Sequence, residues 1–185
     1  MPDRSSPYRG SPRELRPGPC DASTRHYWLM RRSLSEPVSV PLWQPPLRRM
    51  PFDRNSALAA HRLLAEGTAV GGGRVSDFET WLCAFESDPE FDPQLCFVIA
   101  DTQGAIAVCQ CWNSAFIRHL VVHPRGQRQG IAERLLNLAF GAFAARGEGH
   151  VDLNVMESNI GARRLYERVG MRYVQRGELD PARAL

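Results

Sequence analysis

The sequence predicts an α/β domain of about six strands and about four helices, preceded by an N-terminal arm. Three observations predict this class. The length of 185 residues suits one ordinary domain with room for a tail. Apolar residues make up 43% of the chain and charged residues 23%, which are values of a globular protein. From residue 47 onward, segments with helical spacing of apolar residues alternate with short apolar runs of the kind that form strands.

The composition changes near residue 47. Residues 1–46 hold nine of the 14 prolines, so we expect an Arg/Pro-rich arm that is largely disordered or loosely packed, followed by the domain over 47–185. Part of the arm, from His26 to Met30, is aromatic and apolar enough to pack on the domain.

The basic charge is concentrated in the arm. Residues 1–49 carry nine Arg and four acidic residues, a net charge of +5, whereas the remainder carries 14 Arg and 16 acidic residues, a net charge of −2. Nucleic-acid-binding proteins usually place their basic residues on folded elements. The distribution therefore does not favour a nucleic-acid partner, and the alternative is an interaction protein whose arm alone reaches nucleic acid.

All 23 basic residues are Arg. Without Lys, the chain has no Walker A loop, no Schiff-base Lys for pyridoxal phosphate and no protein-kinase Lys. The five Cys are irregularly spaced and form no zinc pattern, so we expect no metal site and a reducing, cytoplasmic location. No apolar run approaches the roughly 20 residues of a membrane span, so we expect no membrane association.

The first predicted elements are a short strand over 47–50 and a helix that starts at Asp53 or Asn55 and ends near Ala65. Three consecutive Gly over 71–73 break the chain. A second helix is predicted over 76–86, because its four large apolar residues recur at i, i+3, i+4 and i+7.

The second half alternates strands and helices. Strands are predicted over 95–100, 105–112 and 116–123, the first two joined by a polar turn and the third stopped by Pro124. A long amphipathic helix follows over 130–146, then a strand over 150–156 and a helix over 159–169, for which Gly170 suits the C-terminal cap. A last strand is predicted over 171–175.

The informative segment is Gln127-x-x-Gly130-x-Ala132, at the junction between a strand and the long helix. The start of a helix leaves backbone N–H groups unpaired and carries a partial positive charge. Small residues let a ligand approach that backbone closely. The segment suits a pyrophosphate, although an ordinary turn is the alternative when it is taken alone. The fingerprint GxGxxG is absent, so a nicotinamide-binding fold is not indicated.

A second segment opens with Asn159, which precedes a helix that carries Tyr166 two turns later. Apolar spacing places Tyr166 on the inward face of this helix. Taken alone, this Tyr is best explained by core packing.

Together and in this order, the two segments resemble the GNAT superfamily of acyl-CoA-dependent N-acetyltransferases. Gln127, Gly130 and Ala132 fit the family's Q/R-x-x-G-x-G/A loop, and Val122 and Pro124 fit the V-x-P that ends the preceding strand. The second segment fits N-x-x-A-x-x-L-Y-x-x-x-G with Asn159, Ala162, Leu165, Tyr166 and Gly170. The resemblance covers about residues 95–175, is unspecific over 47–94 and is absent over 1–46.

The resemblance implies a mixed, mostly antiparallel sheet of about six strands flanked by about four helices. The strand before the loop would splay away from the strand after the long helix and admit acetyl-CoA between them, without a metal. It also implies which residues contact the co-substrate. The implied contacts are Leu120, Val121 and Val122 for the pantetheine arm, Gln127, Arg128, Gln129, Gly130, Ile131 and Ala132 for the pyrophosphate, and Asn159 from the other side.

The implied reaction is direct attack of a primary amine on the acetyl thioester, with Tyr166 donating a proton to the leaving thiolate; the alternative is that Tyr166 only packs. The family's usual general-base positions are occupied by Phe116 and Asn154, which accept no proton. A water chain or one of several other side chains would replace them, and these candidates are Glu157, His119, His123, Glu86 and Asp88.

The acceptor, a small molecule or a peptide amine, would lie against the N-terminal helices and the loops above the splay. Arg118 can hold an acidic group of the acceptor, whereas the acidic stretch 86–92 can attract a cationic amine. Further candidates for this lining are Trp81, Phe85, Trp112 and Phe116. The missing carboxylates leave a second function open, a non-catalytic acyl-CoA-binding sensor or interaction module, and a homodimer also stays open.

Overall fold

The computed structural model describes residues 26–40, 42–70 and 74–179. The first 25 residues, which we expected to be disordered, lie outside the described residues. The elements in chain order are β1 (His26–Ser33), β2 (Arg48–Met50), α1 (Arg54–Val70), α2 (Phe78–Glu86), β3 (Cys96–Asp101), β4 (Gly104–Trp112), β5 (Phe116–Val122), α3 (Ile131–Ala145), β6 (His150–Met156), α4 (Ile160–Arg168) and β7 (Arg172–Glu178).

The strands form one sheet in the order β2-β3-β4-β5-β6-β1-β7. All neighbours are antiparallel except β5 and β6, which run parallel. The expected mixed, mostly antiparallel sheet with four helices is therefore confirmed. The sheet has seven strands where we expected about six, and the additional strand is β1.

Strand β1 lies within residues 1–46, the segment that we expected to form a largely disordered or loosely packed arm. This strand lies between β6 and β7 and pairs with both, and Met30 at its centre is completely buried. The chain after β1 then runs along α3, where the Arg134 guanidinium lies over the Trp43 ring. The sequence did not reveal this strand because its apolar residues are consecutive rather than alternating and stand next to Arg- and Pro-rich segments.

Helices cover the sheet on both faces. Alternate residues of β3 and β4 belong to different apolar clusters, since Val98 and Val108 pack with α1, whereas Phe97 and Cys109 pack with α3. Helix α1 packs on β4 and β5 from one face, and helix α3 packs on β4, β5 and β6 from the other. The middle of the sheet is therefore covered on both faces. No helix in the described parts of the chain is long and apolar enough to cross a membrane.

Helix α1 continues five residues beyond its predicted end, through Gly67 to Val70. A Cβ atom on Gly67 would lie 2.8 Å from Cγ1 of Val121, so only glycine lets α1 cross β5 this closely.

Candidate active site

Strands β5 and β6 separate after two residue pairs. Only Phe116 with Asp152 and Ile117 with Leu153 are paired, and the strands diverge beyond them. The divergence begins at a β-bulge, since Gln110 of β4 pairs with His119 and Cys111 with Ile117, which leaves Arg118 as an extra residue in β5. A bulge bends its strand and increases its twist. The bulge therefore accounts for the gap along Leu120 and Val122.

The gap opens into a cleft of about 730 Å³ between α3 and α4. The walls come from the end of β5, the loop that follows it, the first turn of α3 and one face of α4. The lining residues are Leu120, Val122, Gly126, Gln127, Arg128, Gly130, Ile131, Ala132, Glu133, Asn159, Gly161, Ala162, Leu165, Tyr166 and Arg168. The cleft thus brings both sequence segments together.

The first turn of α3 forms one end of this cleft. Gly130 precedes the helix in the left-handed conformation, with φ of 73°, and among the described residues no side chain caps the helix. The N–H groups of the first turn therefore remain available to a ligand, with the positive end of the helix dipole behind them. A Cβ atom on Gly130 would meet nothing within 4 Å, so this glycine supplies a backbone conformation and open space rather than a packing contact. The arrangement suits a phosphate group.

The loop before α3 is held by Arg125. Its guanidinium donates to both carboxylate oxygens of Asp101, at 3.0 and 3.2 Å, and to the carbonyl oxygens of Gly104 and Ala105 at 3.3 and 2.9 Å. The hydrogen bonds from Arg125 lower the pKa of Asp101. Arg125 therefore anchors the loop to the β3–β4 turn instead of facing the cleft. Sequence reasoning assigned Asp101 no role, because this contact joins residues 24 positions apart.

Two of the implied contact residues direct their side chains elsewhere. Val121 lies on the opposite face of β5, against Gly67 of α1. The Gln129 amide donates to the carbonyl oxygen of Arg125 at 2.8 Å and is not part of the cleft wall. Gln127 does line the cleft, and its amide donates to the carbonyl oxygen of Val122 at 3.2 Å. If Gln129 binds a ligand, it does so through its backbone groups. The backbone groups of Val121 are directed to Val108 of β4, so the structure does not support the implied contact from Val121.

Helix α4 supplies the opposite wall. Asn159 caps it, with Oδ1 accepting a hydrogen bond from the Ala162 N–H at 3.1 Å. The wall residues Gly161, Leu165 and Arg168 were not among the predicted site residues. Their spacing of three and four positions on the face of Tyr166 is the signal that would have identified them.

Tyr166 lies at the inner end of the cleft and is only 8% exposed. In the described part of the chain its hydroxyl has no hydrogen-bond partner. Burial raises the pKa of Tyr166 to about 12, with a further contribution from Cys109. The hydroxyl therefore keeps its proton at neutral pH and can donate it to a group in the cleft.

Residues 27–171 match the sequence profile of the acetyltransferase (GNAT) family. The chain belongs to this family. A 71-residue segment is 37% identical to a [ribosomal protein bS18]-alanine N-acetyltransferase of Haemophilus ducreyi, covering 38% of the chain and 49% of that relative. The matched segment thus spans about half the length of the curated relative.

Solved structures of GNAT proteins share the fold. A GCN5-related N-acetyltransferase from Sphaerobacter thermophilus superposes with a TM-score of 0.67 and 30% identity over 85% of this chain, and the chain spans 53% of that protein. The ribosomal-protein-S18-alanine N-acetyltransferase of Escherichia coli gives a TM-score of 0.56 and 19% identity, over 70% of this chain and 79% of that one. The resemblance to the GNAT superfamily is therefore confirmed.

The usual GNAT base positions carry no carboxylate here, and two of the candidate substitutes are engaged elsewhere. Glu157 forms two hydrogen bonds with Arg176, at 2.6 and 3.1 Å, which lower its pKa. His123 accepts the Arg125 N–H through Nδ1 at 3.1 Å. Neither lies in the cleft wall.

The remaining candidates lie toward α2. Glu86 ends α2 at the surface, and Asp88 follows it. His119 Nδ1 lies 3.1 Å from Gln110 Oε1. Burial, with a smaller contribution from Arg118, lowers the pKa of His119 to about 4, so its imidazole is neutral at pH 7. None of these side chains has both the position and the basicity of a strong general base.

The predicted acceptor-lining aromatics fall into two groups. Trp81 and Phe85 stack with ring centroids 5.3 Å apart, and neither lines the cleft. Trp81 packs on His61 of α1, and Phe85 packs on Phe52.

Trp112 and Phe116 instead lie opposite each other on β4 and β5, where β5 still pairs with β6, with ring centroids 5.7 Å apart. The Arg118 guanidinium lies 4.7 Å from the Trp112 ring centroid. This second group is close to the point where β5 leaves β6, although none of its members lines the cleft.

The acidic stretch over 86–92 is partly occupied by contacts within the protein. Asp92 pairs with Arg146 at 2.6 Å, and Glu90 accepts the Ser114 N–H at 2.7 Å. These contacts weaken its suitability for a cationic acceptor.

Proposed function

We propose that this chain is an N-acetyltransferase that moves the acetyl group of acetyl-CoA to a primary amine of a small molecule or peptide. The observation that carries the proposal is the single cleft that unites the open edge of β5, the uncapped start of α3 and the largely buried side chain of Tyr166. The strand edge suits the pantetheine arm of acyl-CoA, the anion site suits its pyrophosphate, and the proton donor suits the thiolate that leaves when the acetyl group is transferred.

The residues present fit acetyl-CoA. The β5 edge at Leu120 and Val122 has no neighbouring strand among the described residues and offers its backbone groups to the amides of the pantetheine arm, as a sheet edge does to a peptide. The first-turn N–H groups of α3 suit the pyrophosphate, and Asn159 faces it from α4. Gln129 contributes backbone groups under this proposal, whereas the backbone groups of Val121 are directed to Val108 of β4 and make no contact with the co-substrate.

The reaction requires a neutral amine, because an alkylammonium with a pKa of about 10 has no free electron pair. The amine nitrogen attacks the thioester carbonyl carbon, a backbone N–H of the β5 edge stabilises the oxyanion, and the C–S bond breaks. Tyr166 gives its proton to the departing thiolate and regains one from solvent, and the proton released by the new amide reaches solvent through water. Positions 116 and 154 carry no carboxylate that could act as the base. Under this proposal, desolvation lowers the pKa of the amine, so that it loses its proton without a strong base.

The missing carboxylates also support a second candidate, a non-catalytic acyl-CoA-binding module on the same fold. Both candidates predict that acetyl-CoA and CoA bind at the cleft. Only the enzyme predicts that free thiol appears when an amine is added.

Calorimetric titration with acetyl-CoA and with CoA is the first test. We expect micromolar dissociation constants, and thiol release in the presence of amines drawn from amino acids, peptides, polyamines and aminoglycosides. Binding without thiol release for any amine would favour the non-catalytic module. Absence of binding would overturn both functions.

A further inference from the structure

Arg118 occupies an unusual position at the mouth of the gap. It is the extra residue of the β5 bulge, immediately where β5 leaves β6, and it precedes Leu120 by two residues. Since a strand rises about 3.4 Å per residue, its Cα lies roughly 7 Å from that of Leu120. Its contact with Trp112 places it on the α2 side of the sheet, opposite the cleft wall formed by α3.

The charge of Arg118 is poorly compensated. Its nearest carboxylate oxygen is Oδ2 of Asp88, at 3.9 Å, and it makes no hydrogen bond to any described residue. Arg125 and Arg146 are comparably exposed, with 28% and 34% of the side chain accessible against 38% for Arg118, yet both donate to carboxylates at 3.2 Å or less. Arg118 therefore keeps its donors for another partner.

The surroundings of Arg118 favour an anion. Its neighbour His119 is neutral at pH 7, and Trp112 and Phe116 are apolar. Asp88 is already used in part, since its Oδ1 accepts the Glu90 N–H at 2.9 Å. Partial burial of the guanidinium against Trp112 strengthens its interaction with a ligand by removing water.

We propose that Arg118 binds a carboxylate of the acceptor, so that the acceptor is a small amino acid whose carboxylate lies next to its reacting amine. This inference rests on the proposed acetyltransferase function. A guanidinium recognises a carboxylate through two parallel hydrogen bonds. Because Arg118 and Leu120 are only two residues apart along β5, an acceptor that reaches both positions is expected to carry its carboxylate close to its amine. Polyamines and aminoglycosides lack this group, and the guanidinium repels them.

Matched substrate pairs test the proposal. Each pair is an L-amino acid and its amide, compared at equal concentrations of neutral amine, because the two amines differ in pKa. The measured quantity is the ratio of kcat/KM for the acid to that for the amide. A charged hydrogen-bonded pair contributes about 1.5–3 kcal/mol, so we expect the wild-type ratio to exceed one by on the order of 10- to 100-fold.

Two variants with opposite expected effects distinguish binding of the acceptor carboxylate by Arg118 from a purely structural role of the Arg118–Asp88 ion pair. Arg118→Met brings the ratio close to one. Asp88→Asn removes the competing carboxylate and raises the ratio above the wild-type value. If the Arg118–Asp88 pair serves only to hold the loop after α2, both substitutions break the same ion pair and leave the ratio at its wild-type value, which would overturn the proposal.

Equilibrium binding of the same pairs to the CoA-loaded protein gives a readout independent of turnover. Tighter binding of the acids, lost in Arg118→Met, supports the proposal even where thiol release is slow. Equal binding of acids and amides refutes the role proposed for Arg118. If acetyl-CoA still binds in that case, the proposed acetyltransferase function is not affected. Preference for a peptide with an acidic side chain over every free amino acid also refutes that role. Failure of CoA itself to bind overturns the proposed function and this inference with it.

Discussion

On the α3 side of the sheet the gap between β5 and β6 opens onto the start of a helix, whereas on the α2 side the groups near it are large side chains. The α3 side depends on the left-handed Gly130 and the uncapped helix start behind it. The α2 side depends on Trp112, Phe116 and Arg118. A site made of backbone conformation requires particular residues at fixed spacing. A site made of side chains accepts many sequences, which lets one scaffold serve different acceptors.

The largest effect is expected at the point where the two sides meet. Tyr166→Phe removes the hydroxyl and keeps the ring that packs in the core. We expect kcat to fall by about 100- to 1000-fold, which is the usual contribution of a general acid, while the dissociation constant of acetyl-CoA changes little. Steady-state kinetics and calorimetry check the two parts separately. Unchanged turnover would remove Tyr166 from the mechanism.

The pH profile sharpens the same prediction. Because the pKa of Tyr166 is raised to about 12, its proton is retained across the working range. We expect kcat/KM to rise with pH as the amine loses its proton and to show no alkaline decline below pH ~10, since unperturbed Tyr itself titrates there. A decline with an apparent pKa between 8 and 9 would contradict Tyr166 as the donor.

A smaller effect is expected when a charge is placed on the α3 side alone. In Gly130→Glu, a carboxylate about 5 Å from the pyrophosphate costs roughly 3 kcal/mol at an effective dielectric constant of 20, so CoA affinity should fall on the order of 100-fold. The matched control is Gly130→Asn, because Asn tolerates the left-handed conformation and adds no charge. Equal losses in the two variants would mean that backbone strain, not the phosphate site, explains the result.

The smallest effect on CoA affinity is expected when the contact between Asp101 and Arg125, which anchors the loop before α3, is weakened. Asp101→Asn neutralises the partner of Arg125 while keeping an acceptor for the Gln103 N–H, which Asp101 Oδ1 bonds at 2.8 Å. Because Arg125 lowers the pKa of Asp101, the carboxylate stabilises the folded state above the unfolded pKa of about 3.9. This contribution is lost as the pH falls through the folded-state pKa.

Thermal unfolding of Asp101→Asn checks this support. We expect a Tm lower than wild type by no more than a few degrees at pH 7, with the gap closing as the pH falls below ~4. CoA affinity should weaken by less than tenfold, since an exposed ion pair contributes little. A Tm gap that stays constant from pH 7 to pH 3 would contradict the role assigned to the charge.

Sequence reasoning succeeded where a local pattern determines the structure. The turn from Val122 to Gly130 and the two-turn spacing of Asn159 and Tyr166 are local, and the structure places these segments in one cleft. The bulge at Arg118 could not be predicted, because it is defined by the register of β5 against β4. The directions of the Val121 and Gln129 side chains, and the anchoring of Arg125, likewise depend on contacts between distant residues.

Strand β1 has a consequence for the order in which the chain folds. Its two neighbours in the sheet begin at His150 and Arg172, and its contact from His26 to Glu178 spans 152 residues. Strand β1 is therefore synthesised well before either neighbour and cannot pair until they follow. Contacts of such long range slow folding and prolong the exposure of an unpaired apolar strand. The segment His26–Ser33 thus needs protection from aggregation until folding is complete.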